Sequence, residues 1–102
     1  MTYAFVQDVP IDEQLYKQVL AQLGDEPLAG LVAHVVLRNN DQTLRYVDVW
    51  ESEEACEQAF DERIHPAVHR VFQERDFRPD GEPPRGIVEI VDVLLGDESP
   101  RR

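Results

Sequence analysis

The order of apolar patterns along this 102-residue chain predicts a ferredoxin-like α+β domain. Three observations support that class. A strand-like run, a helix-like run, two strand-like runs, a longer helix-like stretch and a last strand follow one another, giving β-α-β-β-α-β. The two middle strands are separated only by the turn-forming Asn39-Asn40-Asp41-Gln42, so they read as an antiparallel hairpin. A right-handed β-α-β crossover then places both helices on one face of a four-stranded antiparallel sheet. The opposite face carries large apolar side chains and needs a cover. A second copy of the chain is the expected lid, which closes a homodimeric α/β barrel.

Each element has its own signals. Tyr3 to Val9 alternates as a strand, with Tyr3, Phe5, Gln7 and Val9 on one side and Ala4, Val6 and Asp8 on the other. Pro10 ends it. Asp12 is the expected N-cap of the first helix, and Leu15, Tyr16, Val19, Leu20 and Leu23 recur at helical spacing up to a Gly24 cap. Gly30 to Arg38 and Thr43 to Trp50 form the hairpin strands. Ser52 caps the next helix, with Glu53 and Glu54 in its first turn, where the helix dipole favours acid. Ala55, Cys56, Ala59, Phe60 and Ile64 continue its apolar stripe. Pro66 is expected either to kink that helix or to open a second helical segment that carries Ala67, Val68, Val71 and Phe72. Residues 78–85, rich in Pro and Gly, read as a loop, and Ile87 to Leu95 as the last strand. Residues 1–96 are thus expected to form one domain and 97–102 a flexible tail.

Composition narrows the function. The formal net charge of -11 repels phosphate backbones and anionic membrane surfaces, so neither nucleic acid nor membrane is an expected partner. No apolar run is long enough to span a bilayer, and Met1-Thr2-Tyr3-Ala4-Phe5 has no basic or hydrophobic leader region, so a cytoplasmic address is expected. The single Cys56 excludes an internal disulfide and a multi-thiolate metal site. The chain has no phosphate loop, no serine nucleophile elbow and no dinucleotide fingerprint.

The alternation also sorts the sheet. Ala4, Val6, Ala33, Val35, Leu37, Val47 and Val49 are small and aliphatic, and are expected to face the helices. Tyr3, Phe5, Gln7, Val32, His34, Val36, Tyr46, Asp48 and Trp50 then form the second face, at the dimer seam. An odd-length hairpin turn sets His34 opposite Asp48 and an even one sets Ala33 there; the aliphatic helix-facing set favours the odd register, with His34 against Asp48. Such a pair is either a general base with its orienting carboxylate or a structural pair at the seam. Trp50, Tyr46, Tyr3 and Phe5 are either an aromatic box for a planar ligand or interface core. His65 and His69 have the spacing of a helical metal pair but lack an evident third ligand, so one reads as a capping residue and the other as solvated; no metal is expected. Cys56 reads as a buried small hydrophobe. The acidic pairs at the helix starts read as dipole compensation.

The segment Tyr46-Val47-Asp48-Val49-Trp50-Glu51-Ser52-Glu53-Glu54-Ala55 resembles a strand that ends in Trp and runs into a capped, acidic helix start. That arrangement is found in the dimeric α/β-barrel superfamily, which includes the antibiotic-biosynthesis-monooxygenase domains. His65-Pro66-Ala67-Val68 is similar to the break within the superfamily's second helical region, and the resemblance spans Tyr3 to Leu95. It implies a cofactor-independent monooxygenase acting on an aromatic small molecule. Superfamily monooxygenases surround the substrate with a polar residue of the first strand, a Trp and a helix residue. Trp50 matches the Trp. Gln7 stands where Asn is frequent, and the helix His has no match, Glu62 and Arg63 lying in its place. The resemblance therefore disfavours haem degradation and leaves haem binding through His65 or His69 as the third reading. In the leading one, Trp50 and Tyr46 hold a ring, Gln7 and His34 polarise or deprotonate a phenol, and Asp48 orients His34. The competing reading is a non-catalytic dimeric binding module with a dry barrel.

Overall fold

The structure, a computed structural model, describes residues 2–78 and 81–96; the expected tail at 97–102 lies outside the described residues. Its elements are β1 (Tyr3–Val9), α1 (Glu13–Leu23), β2 (Leu31–Arg38), β3 (Leu44–Trp50), α2 (Glu53–Ala59), a π-helical segment (Phe60–Ile64), α3 (His65–Glu74) and β4 (Gly86–Val88). The four-stranded sheet has the order β2-β3-β1-β4, and each neighbouring pair is antiparallel. This is the expected ferredoxin-like arrangement.

The local signals act as their chemistry requires. The Asp12 carboxylate accepts from the Leu15 N–H at 2.9 Å, and the Ser52 hydroxyl from the Ala55 N–H at 3.1 Å, each satisfying a free donor of the helix start. In the hairpin turn Gln42 takes the left-handed conformation at φ 75, the position a G1-type loop requires. Gly30, at φ 87, lies so close to α2 that an added Cβ would fall 2.6 Å from the Ala55 Cβ. Pro66 sits in the first turn of α3, directly after the five-residue π-helical segment. A proline lacks the N–H and crowds the carbonyl one turn back, and the wider π turn accommodates it without ending the helical run.

The sheet faces are the reverse of the sequence expectation. Phe5 and Trp50 pack against Cys56, Ala59 and Phe60 of the second helical region. Leu44, Val36 and Tyr46 pack with Leu15 and Val19 of α1 and Val71 of α3. Under α2 the large Phe5 and Trp50 meet the small Cys56 and Ala59, because close packing needs complementary volumes rather than matched sizes. Val32 falls at a register shift, so Leu31 joins Trp50 on the helix side. The open face is the aliphatic one, and Val35, Leu37 and Val88 are 48%, 48% and 40% exposed there.

β4 is shorter than expected. Val88 pairs with Ala4, so the following residues run past the beginning of β1, where no strand is left to pair. Val91, Leu94 and Leu95 are consequently exposed.

Candidate functional site

A cavity of about 860 Å³ lies between the helix-facing side of the sheet, the π-helical segment with α3, and the loop that follows α3. Gln7 and Tyr46, direct cross-strand partners, form part of its floor. Phe60, Ile64, Val68 and Phe72 form an apolar wall, and Phe77 and Pro83 close the loop side. Polar groups at its edge come from His65, His69, Asp76, Arg78 and Glu82. A concave, largely apolar site with a few convergent polar groups suits a small organic ligand.

Gln7 is 4% exposed and donates its amide N–H to the Pro83 carbonyl at 2.9 Å. That bond fixes the amide and ties the loop to the floor. Burial, helped by the nearby Tyr16 and Asp48, holds the Tyr46 phenol well above the ordinary tyrosine range. Tyr46 is therefore a neutral hydroxyl on the cavity floor.

Behind Tyr46 runs a hydrogen-bonded chain. His34 lies opposite Asp48 in the register, and its Nδ1 is 2.5 Å from Asp48 Oδ1. Trp50 Nε1–H donates to Asp48 Oδ2 at 3.1 Å. His34 Nε2 lies 2.9 Å from the Tyr16 hydroxyl. With Asp48 accepting at both oxygens, a neutral His34 carries its proton on Nδ1 and accepts from Tyr16 at Nε2. Burial, then the Asp48 charge, raises the Tyr16 phenol, so it remains a donor. The His34 ring meets Tyr46 edge-on at 5.1 Å. Tyr46 thus has His34 at its back and the cavity at its front.

Of the residues singled out in the sequence, Gln7 and Tyr46 line the cavity. His34 and Asp48 form the pair but sit one side chain behind it. Trp50 and Phe5 are almost wholly buried at 1% and 0% exposure, within the core under α2. Tyr3 is half-buried beside them, its ring 5.9 Å from Phe5. Cys56 is also buried, and burial pushes its thiol up to about 12, which makes it unreactive.

Two features escaped the sequence reading. Arg85 lies between the rings of Phe5 and Phe60, at 4.9 and 4.6 Å from their centroids. It donates to Glu57 at 2.6 Å and to the Tyr3 hydroxyl at 3.3 Å, and pairs with Glu82 at 3.4 Å. His65 Nε2 in turn lies 2.7 Å from Glu82 Oε1. The only sequence signal was a lone Arg at the end of a proline-rich loop, next to an apolar strand. Both contacts span the helix-to-strand loop, which carries no periodicity.

The His65 and His69 rings stack at 6.3 Å with an interplanar angle of 12°. Among the described residues no group of three or more His, Cys, Asp or Glu side chains is placed to hold a metal ion. Nor is any described helix long and apolar enough to cross a membrane.

At the level of sequence, no family model matches the chain and no curated protein is detectably similar. Its fold does match solved structures. A protein from Chloroflexus aurantiacus, assigned by name as an antibiotic biosynthesis monooxygenase, superposes with a TM-score of 0.55 at 14% identity, over 97% of this chain and 98% of that one. Rv0793 from Mycobacterium tuberculosis gives 0.58 at 10% identity, over 93% and 100%. SnoaB from Streptomyces nogalater, a cofactor-independent oxygenase, gives 0.53 at 19% identity, over 93% and 96%. The chain has the fold of the antibiotic-biosynthesis-monooxygenase-like proteins.

Proposed function

We propose that the cavity between sheet and α3 holds a small aromatic molecule and that the chain oxidises it with dioxygen, without a cofactor. The cavity carries this reading: Phe60, Phe72, Phe77 and Tyr46 offer apolar and ring surfaces, while Gln7 and the Tyr46 hydroxyl offer a few polar contacts. The fold shared with a cofactor-independent oxygenase supports the reaction class. An activated ring methylene loses a proton, its carbanion adds dioxygen, and the hydroperoxide eliminates water to leave a carbonyl. All four electrons come from the substrate carbon, so no external reductant enters. Gln7 and Tyr46 contact the ligand. His34 and Asp48 act through Tyr46 as positioning residues, and Trp50, Phe5 and Tyr3 support the floor.

The test is dioxygen uptake with anthrone-like substrates. Uptake by the wild-type protein, with product carbonyl formed in equal amount to dioxygen consumed, supports the reading. A loss of ten-fold or more is expected in Gln7→Leu, in a protein that remains folded by circular dichroism. Binding without uptake by any such substrate contradicts the oxidation and favours a non-catalytic binding module. That second reading draws on one observation: the Tyr16–His34–Asp48–Trp50 chain is satisfied within the protein.

The assembly we propose is a homodimer, formed through the aliphatic sheet face. Val35, Leu37 and Val88 lie exposed there, and the unpaired segment with Val91, Leu94 and Leu95 extends from the same sheet's edge strand.

A further inference from the structure

We infer that His65, held by Glu82, is the proton acceptor of this cavity, and that its ligand is an aromatic molecule with an acidic proton, such as a phenol. The inference rests on the proposed reading of the cavity as a small-molecule site. The residues that carry it lie outside the hairpin pair.

His65 is the first residue of α3, and both His65 and Glu82 line the cavity. Four contacts set the ring. Glu82 Oε1 lies 2.7 Å from Nε2. Phe60 meets the ring edge-on at 5.4 Å, and His69 stacks on it at 6.3 Å. Asp61 Oδ1 is 4.0 Å from Nδ1. Glu82 is itself anchored, because its second oxygen lies 3.4 Å from Arg85, which the Phe5 and Phe60 rings enclose. With Nε2–H donated to Glu82, the neutral ring keeps the Nδ1 lone pair for a proton. A carboxylate on the far nitrogen orients an imidazole and stabilises the cation formed when it takes that proton.

The charges around the cavity favour this division of labour. Asp61 and Glu82 set negative charge beside His65, while Asp76 pairs with Arg78 at the cavity's other end and Arg85 lies behind Glu82. An imidazolium is stabilised among these carboxylates, whereas a phenolate alone is not. A phenol in the cavity therefore ionises readily only by passing its proton to His65, which makes a neutral pair of the two. His34 does not line the cavity and meets the Tyr46 ring edge-on at 5.1 Å, so it does not compete for the role.

The experiment uses 4-nitrophenol, whose phenolate is yellow, and 4-nitroanisole, which has the same ring and no acidic proton. Both are titrated into the wild-type protein, His65→Gln and Glu82→Gln, each checked by thermal unfolding. On the wild type the ionisation midpoint of bound 4-nitrophenol is expected to fall below that of the free phenol by about one pH unit or more. In His65→Gln both probes still bind, and the midpoint returns to the free value or above it, because only carboxylates remain nearby. Glu82→Gln gives an intermediate midpoint. A His65→Gln protein that ionises the probe as the wild type does overturns the assignment, as does a wild type that binds 4-nitrophenol with an unmoved midpoint. Either result leaves the cavity reading standing. Failure of the wild type to bind both probes removes the cavity reading and the assignment with it.

Discussion

Asp48 is 3% exposed and takes hydrogen bonds from His34 and from Trp50, so its side chain does two jobs at one buried position. Asp48→Ala strands the Trp50 N–H in the core, at a cost of about 1–3 kcal/mol for that donor alone. It also frees the His34 ring, which backs Tyr46. Chemical denaturation is expected to show the loss, with Asp48→Asn closer to wild type because the amide oxygen still accepts from one donor. Equal stability of Asp48→Ala and wild type would show that the chain behind Tyr46 contributes nothing. The sequence allowed the opposition of His34 and Asp48 as one of two hairpin registers, and the pairing of Arg38 with Leu44, which leaves a five-residue loop, selects it. Their place outside the cavity lining was not legible there. Only packing against α1 places the Tyr46 ring between His34 and the cavity.

The elements were legible where a local rule governs them and obscure where a neighbour does. Asp12 and Ser52 cap their helices as their side chains dictate. Pro66 is absorbed by a π turn instead of a bend, a compromise between a missing N–H and a continuous apolar stripe. The alternating segment Ile87 to Leu95 has the pattern of a full strand, yet only Gly86–Val88 pairs, because its partner β1 ends first. Alternation records which residues can pair, not whether a partner exists. The inversion of the sheet faces has a related cause. Both faces are apolar, so hydropathy does not separate them, and side-chain volume against Cys56 and Ala59 decides. The Arg85 and Glu82 contacts were invisible for a third reason. They join a loop to a strand and two helical segments far away in sequence.

For the whole molecule, the inverted faces relocate the proposed dimer and keep the cavity within one chain. An aliphatic sheet face and an apolar strand extension both call for cover. Leu37→Asp, on the exposed β2 edge of that face, is expected to convert a dimer in sedimentation velocity to a monomer without loss of helical signal. A wild-type monomer at all concentrations would rule out self-association through this face. The functional proposal does not depend on that result, because sheet, π-helical segment, α3 and loop of a single chain enclose the cavity.

Whether an aromatic molecule occupies this cavity is tested most directly by calorimetric titration of 4-nitroanisole into the wild-type protein and Val68→Trp. Val68 is half-buried on the α3 wall, and an indole there fills space that a ligand needs while leaving the core under α2 untouched. The account predicts saturable binding at one molecule per chain in the wild type, and none in a folded Val68→Trp. Unchanged binding in Val68→Trp, or none in the wild type, would contradict it.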